Sequence, residues 1–474
     1  KAATAMHIFQ KFFLDHELLG NPISAQGDFI YRLERESYFG GLTQVFRHSG
    51  FEFGDGDGLV YLDVNSMYPY QMSTLAVPTK PGEYHDDYDD CPRPPTAVLP
   101  GALYVLTQFE FAEETPLTNF PVRSAKTKET VYPRVFHSGD AGLKHVVVWG
   151  SAINLARQHL GLRSLTIRAD IRYAEEHVLY ADFVKYLFEA KKAAKGQKGK
   201  YQLIKDLLNS STGKNGQRPA GRRKYVPWEE VVVGGASSLD GGKLAALYPL
   251  YGQENCGKLS GVRRVTARVA EVLYEPNELD TRCPGALVRI ISRITQGARD
   301  LLIRTISEIG VREHVFYCDT DSIVFHRSRL PFISHPIGGQ LGQFEDQFPD
   351  QDIIAADFIA PKAYYCVLAE KEGRPGHPKG ERTEYLRFKG VRKPTIAMLR
   401  EIRLTGSSSV IQDFWSRCYG TVKTAKVRKV LNLHTKRFVH FDGSTRPFED
   451  FEEFLMTKKC LLVYDADTYT FMYV

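Results

Sequence analysis

Apolar positions along the chain fall into runs of two periods. Helical spacing runs through 3–19, where Ala5, Ile8, Phe9, Phe12, Phe13 and Leu19 recur until Gly20-Asn21-Pro22 ends the pattern. Ser151 is placed to cap a helix over Ala152–Leu160, with Gly161 as its stop. A longer helix is predicted over Ala174–Lys195, with Lys185, Lys191, Lys192 and Lys195 gathering late. After a break at 196–200 comes Tyr201–Gly213, where Lys205 and Asn209 stand at i and i+4 and share a face. Over Gly285–Gly310, Leu287, Ile290, Ile291, Ile294, Ala298, Leu301, Leu302 and Ile306 keep the 3.6 period of an amphipathic helix. Strand-like runs appear at Thr43–Arg47, Leu59–Val64, 102–111, Lys144–Gly150 and Lys362–Val367. Gly54-Asp55-Gly56-Asp57-Gly58 reads as a hairpin loop joining the first two of these.

One polar step interrupts the apolar pattern in a telling place. In Phe316–Phe325, two β-prone runs flank Asp319-Thr320-Asp321, which predicts a hairpin with carboxylates at its tip. Residues two apart on an extended chain share a face, so Asp319 and Asp321 can point the same way. Crowded carboxylates repel unless a cation neutralises them, and hard divalent ions are held by one or two carboxylates plus substrate phosphates. Far upstream, the strand Leu59–Val64 delivers Asp63 at its end. Three carboxylates of this kind can hold a metal pair, the arrangement used for in-line displacement at phosphorus. The Lys205/Asn209 face would suit a polyphosphate.

Composition narrows the setting without changing that picture. At 474 residues the chain has room for about three domains. A net charge of +6 permits a polyanionic partner without demanding one. The seven cysteines contain no Cys-x-x-Cys, so neither a zinc ribbon nor a disulfide framework is expected, and an intracellular, reducing setting is. No run of 18 apolar residues suggests a membrane span. Asp15-His16-Glu17 and Asp450-Phe451-Glu452 have the Asp-x-Glu spacing of an exonuclease site but lack its apolar strand and partner motifs.

The motifs gain meaning from their order: Tyr-x-Gly-Gly at 38–41, Asp-x-x-Ser-x-Tyr-Pro at 63–69, Lys-x-x-x-Asn-Ser-x-x-Gly at 205–213, Tyr-x-Asp-Thr-Asp-Ser at 317–322 and Lys-x-Tyr at 362–364. That series resembles the family B DNA polymerases. Among them it is most similar to the protein-primed branch of small linear-genome phages, adenoviruses and linear plasmids. The resemblance implies an α+β right-hand polymerase with two insertions. Residues 1–57 would lead into a palm at 58–111, followed by a priming-protein docking insertion at 112–173 and short helical fingers at 174–213. A strand-displacement insertion at 214–284, further palm at 285–374 and a thumb at 375–474 would complete it.

The resemblance also implies roles. Asp63 and Asp321 would be the main metal ligands, helped by the Val64 carbonyl, with Asp319 close by, for two magnesium ions or manganese in their place. Tyr68 would exclude a 2′-hydroxyl. Lys191, Lys205, Asn209 and Thr212 would meet the incoming dNTP, Lys362 and Tyr364 the primer end, and Tyr38, Gly40 and Gly41 the template. Expected partners are primer–template DNA, dNTPs and a priming protein, with no membrane. Two departures stand out: family members usually carry Tyr where this chain has Thr212, and their N-terminal proofreading domain is expected either to have been cut from this sequence or never to have been part of the polymerase. The same residues would serve a primer-independent polymerase or, without catalysis, a DNA-binding relative.

Overall fold

The computed structural model describes residues 2–48, 50–52, 58–86, 97–125, 129–218, 223–228, 259–274, 286–370, 382–391, 394–405, 407–416, 421–430, 436–460, 462–465 and 470–473. The chain divides into two compact units, one of Lys1–Thr212, Val288–Gln412 and Lys426–Val474, the other of Gly213–Leu287 and Asp413–Ala425. In the second unit, strands Arg223–Pro227, Val269–Tyr274 and Leu259–Arg264 form an antiparallel sheet in that order. The acidic glycine run at 54–57 and much of the expected insertion at 214–284 lie outside the described residues.

The first unit is organised by a nine-stranded sheet. Its strands are β1 (Thr43–Val45), β2 (Gly50–Glu52), β3 (Leu59–Val64), β7 (Val315–Asp319), β8 (Ser322–His326), β9 (Phe344–Asp346), β10 (Gln351–Ala360), β11 (Ala363–Glu370) and β12 (Arg382–Phe388). A smaller sheet contains β4 (Leu103–Phe111), β5 (Val146–Trp149) and β6 (Leu162–Arg172). The main order is β1-β7-β8-β3-β10-β11-β12, with β9 also on β3 and β2 on β10. Thr43–Arg47 and Leu59–Val64 therefore do not form the expected hairpin, because β7 and β8 lie between them. Alternation of apolar residues sets which face of a strand is buried, not which strand it pairs with.

Central β3 is buried on both faces, as its unbroken apolar run implies. Val60, Leu62 and Val64 pack in one cluster with Ala298, Leu302 and Ile306 of a long helix, while Leu59 and Tyr61 join Phe358 and Tyr364 on the other side. That helix, Val288–Ile309, begins near the expected place and stops before Gly310, whose φ of +89° suits a residue without a side chain. Its polar side is not solvated as an amphipathic pattern suggests. Arg289, Arg293 and Arg299 are all buried. Arg289 donates to the Pro78 and Thr79 carbonyls at 3.3 and 2.9 Å, and Ser151 Oγ donates to half-buried Asp300 at 2.7 Å.

That last bond changes the reading of Ser151. The neighbouring helix spans Gly150–His159 with Trp149 at its N-cap and no side-chain cap. Ser151 Oγ donates to Asp300 and accepts from Arg293 instead. The first helix is shorter than its pattern, Ala2–Phe12, and the helix expected over Ala174–Lys195 begins only at Ala181. Lys198–Ser210 carries Lys205 and Asn209 on its exposed side and buries Ile204 and Leu208.

Candidate active site

The β7–β8 turn is as tight as a hairpin can be. Thr320 adopts a left-handed φ of +62°, and the Asp321 N–H donates to the Asp319 carbonyl at 2.6 Å. Antiparallel pairing sets Ser322 opposite Asp63 and Ser322 opposite Asp319, while the Val64 N–H donates to the Asp321 carbonyl at 2.7 Å. Asp63 and Asp321 thus meet at one end of the sheet although they stand 258 positions apart in the chain. Burial, followed by the charge of Asp321, pushes the Asp63 carboxyl up to about 7. Burial and the charge of Asp319 push Asp321 up to about 6. Both shifts mean that the protein supplies less positive charge than this pair asks for.

Asp319 is differently placed. Lys362 Nζ donates to both of its carboxylate oxygens, at 2.6 and 2.8 Å. Thr43 Oγ1 and Thr320 Oγ1 donate to Oδ1 at 3.0 and 3.1 Å, and the Tyr317 hydroxyl donates to Oδ2 at 3.2 Å. The Lys362 N–H in turn donates to that hydroxyl at 2.9 Å. Among the described residues no group of three or more His, Cys, Asp or Glu side chains is arranged to hold a metal ion. Two aspartates remain that fit a hard divalent cation completed by phosphate oxygens and water.

Asp63, Asp319, Asp321, Lys362 and Tyr364 line one cavity of about 520 Å³. Its far wall includes Arg387 and Lys389, which the sequence did not single out; they alternate on the short β12 and its edge, without a motif around them. Tyr364 is buried, and its hydroxyl lies 3.0 Å from that of Tyr61, which shares a strand face with Asp63. Glu345 was also missed: it stands opposite Asp63 on β9, and only the strand register brings it there.

The remaining candidates approach from other elements. Tyr68 lies in helix Met67–Thr74, directly after Ser66 with its φ of +60°. Lys191 is buried, with Nζ donating to Ser66 Oγ at 3.2 Å and Asn65 Oδ1 at 3.4 Å. Burial, then the charge of Lys205, holds its ammonium below the usual lysine range. Lys205 is exposed and acts electrostatically on Asp63, Asp321 and Lys191 alike. Asn209 follows one helical turn later, and Thr212 opens the short turn Thr212–Lys214. Tyr38 is half-buried, Gly40 is exposed, and Gly41 lies against the Thr320 turn. Three of the four described non-glycine residues with positive φ, Ser66, Thr320 and Lys362, stand at this site, where such backbone strain is concentrated in many proteins. Asp450 only caps its helix, accepting from the Glu453 N–H at 2.8 Å.

Residues 1–231 match the model of a protein family described as DNA polymerase type B, organellar and viral. None of the curated proteins matches the chain in sequence. Among solved structures, Phi29 DNA polymerase complexed with primer-template DNA and incoming nucleotide substrates is similar over 91% of this chain and 67% of its own, with a TM-score of 0.60 at 18% identity. An orthorhombic crystal form of Phi29 DNA polymerase gives 0.58 at 19% identity over the same shares. The fold is accordingly that of a right-hand polymerase with antiparallel sheets. Residues 1–231, a little under half of the chain, are thus similar to the organellar and viral type B DNA polymerases, and a polymerase fold runs through most of the chain.

Proposed function

We propose that the chain adds deoxynucleotides to a primer 3′-hydroxyl on a DNA template by nucleotidyl transfer assisted by two divalent metal ions, with protein-primed initiation and strand displacement. One observation carries the reading. Asp63 at the end of β3 and Asp321 in the adjacent β7–β8 turn lie together, short of positive charge, in the lining of a cavity that also bears Lys362, Arg387 and Lys389.

Asp63 and Asp321, with the Val64 carbonyl, would hold magnesium, or manganese in its place. Such ions supply an acidified 3′-hydroxyl and charge stabilisation for the departing pyrophosphate. The protein's own residues do the rest. Lys205 and Lys191 set positive charge beside the triphosphate, where negative charge grows as the bond to the leaving phosphate breaks. Asn209 and Thr212 border the nucleotide on the same arm. Tyr68 fills the space a 2′-hydroxyl would need. Lys362, by holding Asp319, keeps that carboxylate from repelling the substrate's phosphates, while Lys362, Tyr364, Arg387 and Lys389 receive the primer end. Tyr38, Gly40 and Gly41 face the template strand. In the proposed layout the palm spans 58–111 and 285–374, the fingers 174–213 and the thumb 375–474. Segments 112–173 and 214–284 serve priming-protein docking and strand displacement.

The test is extension of a labelled primer–template with dNTPs and magnesium, beside Asp321→Asn. Extension by the native chain and its loss in the variant is expected. Equal extension by both would overturn the assignment. A template carrying a downstream duplex reads strand displacement, and transfer of a first nucleotide onto a protein hydroxyl reads protein priming.

A further inference from the structure

Gly41 occupies a place with no room for a side chain. A Cβ there would stand 2.7 Å from Thr320 Cγ2 and 2.9 Å from both Thr320 Cα and Cβ. The next residue continues the contact, since the Leu42 carbonyl accepts from the Thr320 N–H at 2.6 Å. On its other side, burial pushes the Tyr68 hydroxyl up, and the Gly41 backbone N–H is near enough to work against that shift. The Gly41–Leu42 backbone thus lies by both the aspartate turn and the tyrosine placed to exclude a 2′-hydroxyl.

The loop is itself fixed from behind. Arg299, 1% exposed on the long helix, donates through Nη1 to the Phe39 carbonyl at 2.8 Å and the Gly40 carbonyl at 3.0 Å. Its second terminal nitrogen donates to Gln296, and its guanidinium lies 5.8 Å from the centre of the buried Phe39 ring. Two carbonyls held by one buried, rigid, planar cation leave Gly41 little freedom to move.

We infer that Arg299 and Gly41 are positioning residues that set the distance between the Tyr68 gate and the Asp319–Asp321 turn, and through it the polymerase's discrimination between deoxyribose and ribose. The inference rests on the polymerase reading above. It differs from a template-contact role for Gly41, which would act through DNA affinity. A displacement of about 1 Å at a reacting centre can cost about a hundredfold in rate. The same displacement changes the space beside the sugar.

The experiment compares Gly41→Ala, Arg299→Lys, Thr320→Gly and the double variant Gly41→Ala/Thr320→Gly with the native chain. It reads kcat/KM for each deoxynucleotide and its ribonucleotide, the Kd for primer–template, and the melting temperature. Gly41→Ala and Arg299→Lys are expected to lower the deoxy-to-ribo ratio about tenfold, and Arg299→Lys to do so with the Kd unchanged within twofold. Because the Thr320 side chain supplies two of the three atoms nearest the added methyl, the double variant should recover part of the ratio lost in Gly41→Ala alone. An unchanged ratio overturns the inference, whether or not DNA affinity falls. A fall in affinity alone returns Gly41 to template binding. If the native chain extends no primer, the polymerase reading itself fails, and the inference fails with it.

Discussion

Two regions of the main sheet bury carboxylates, and they treat them in opposite ways. At Asp357 on β10 the fold provides its own cation: Arg403 of helix Ile396–Thr405 donates to the carboxylate, and both residues are buried. Asp319 has the same arrangement with Lys362. At Asp63 and Asp321 no such partner is built in among the described residues, and there the more distant charge of Lys205, with Lys362 acting on Asp321, offsets their repulsion. A buried ion pair holds a structure in register, whereas an uncompensated pair marks where something else must bring the charge. Both kinds are aspartates on strands of one sheet, so residue type alone does not separate them; their neighbours do.

The comparison can be tested by removing each charge in turn. The largest effect should come from Asp63→Asn or Asp321→Asn, which lower the primer-extension rate by several orders of magnitude. Arg403→Ala should act on stability instead. It leaves Asp357 buried without its cation and should cost about 3–5 kcal/mol in a denaturant titration, with turnover per folded molecule retained. Next is pH. The raised values of Asp63 and Asp321 stabilise the metal-free fold in full only below the unfolded value of 3.8, and this is lost as pH rises through about 6 to 7. The metal-free chain should therefore gain about 1–3 kcal/mol between pH 8 and pH 6, and Asp321→Asn should reduce that gain and raise stability at pH 8. Equal slopes in the two proteins would refute the account. Below pH 6.5 His48, pushed down to about 3 mainly by burial, works the other way, because the unfolded chain takes up its proton first. The smallest effect is Lys362→Met. Its ammonium is partly exposed, so stability should fall by about 0.5–1 kcal/mol in the same titration, although extension should suffer more.

The meeting of the two aspartates was more legible in the sequence than the scaffold around them. Asp63 and Asp321 were legible because each interrupts an apolar strand, and Lys205 and Asn209 because helical spacing brings them to one face. The resemblance in motif order supplied what spacing could not. Strand pairing was less legible: nothing in Thr43–Arg47 says that its partner is β7, almost three hundred residues on, rather than the strand next in sequence. The buried side of Val288–Ile309 was hidden for a related reason. Arginine and serine at those positions read as solvent-facing until the carbonyls of Pro78, Phe39 and Gly40 are brought against them. Glu345, Arg387 and Lys389 reach the site only through register and the curvature of the cavity wall. Gly41 was marked by its motif, but its reason for being glycine is the Thr320 turn, which no local pattern connects to it.

The pairing of β3 with β8 has a consequence for how the protein comes into being. On the ribosome, the segment bearing Asp63 emerges long before the one bearing Asp321, and its neighbours on one side, β7 and β8, do not yet exist. Local helices can form as they appear, but the central ladder must wait for a contact distant in the chain. Until synthesis has passed His326, the nascent polypeptide holds one half of its charge pair and none of the other. A prematurely terminated product therefore cannot assemble the aspartate pair of the whole chain.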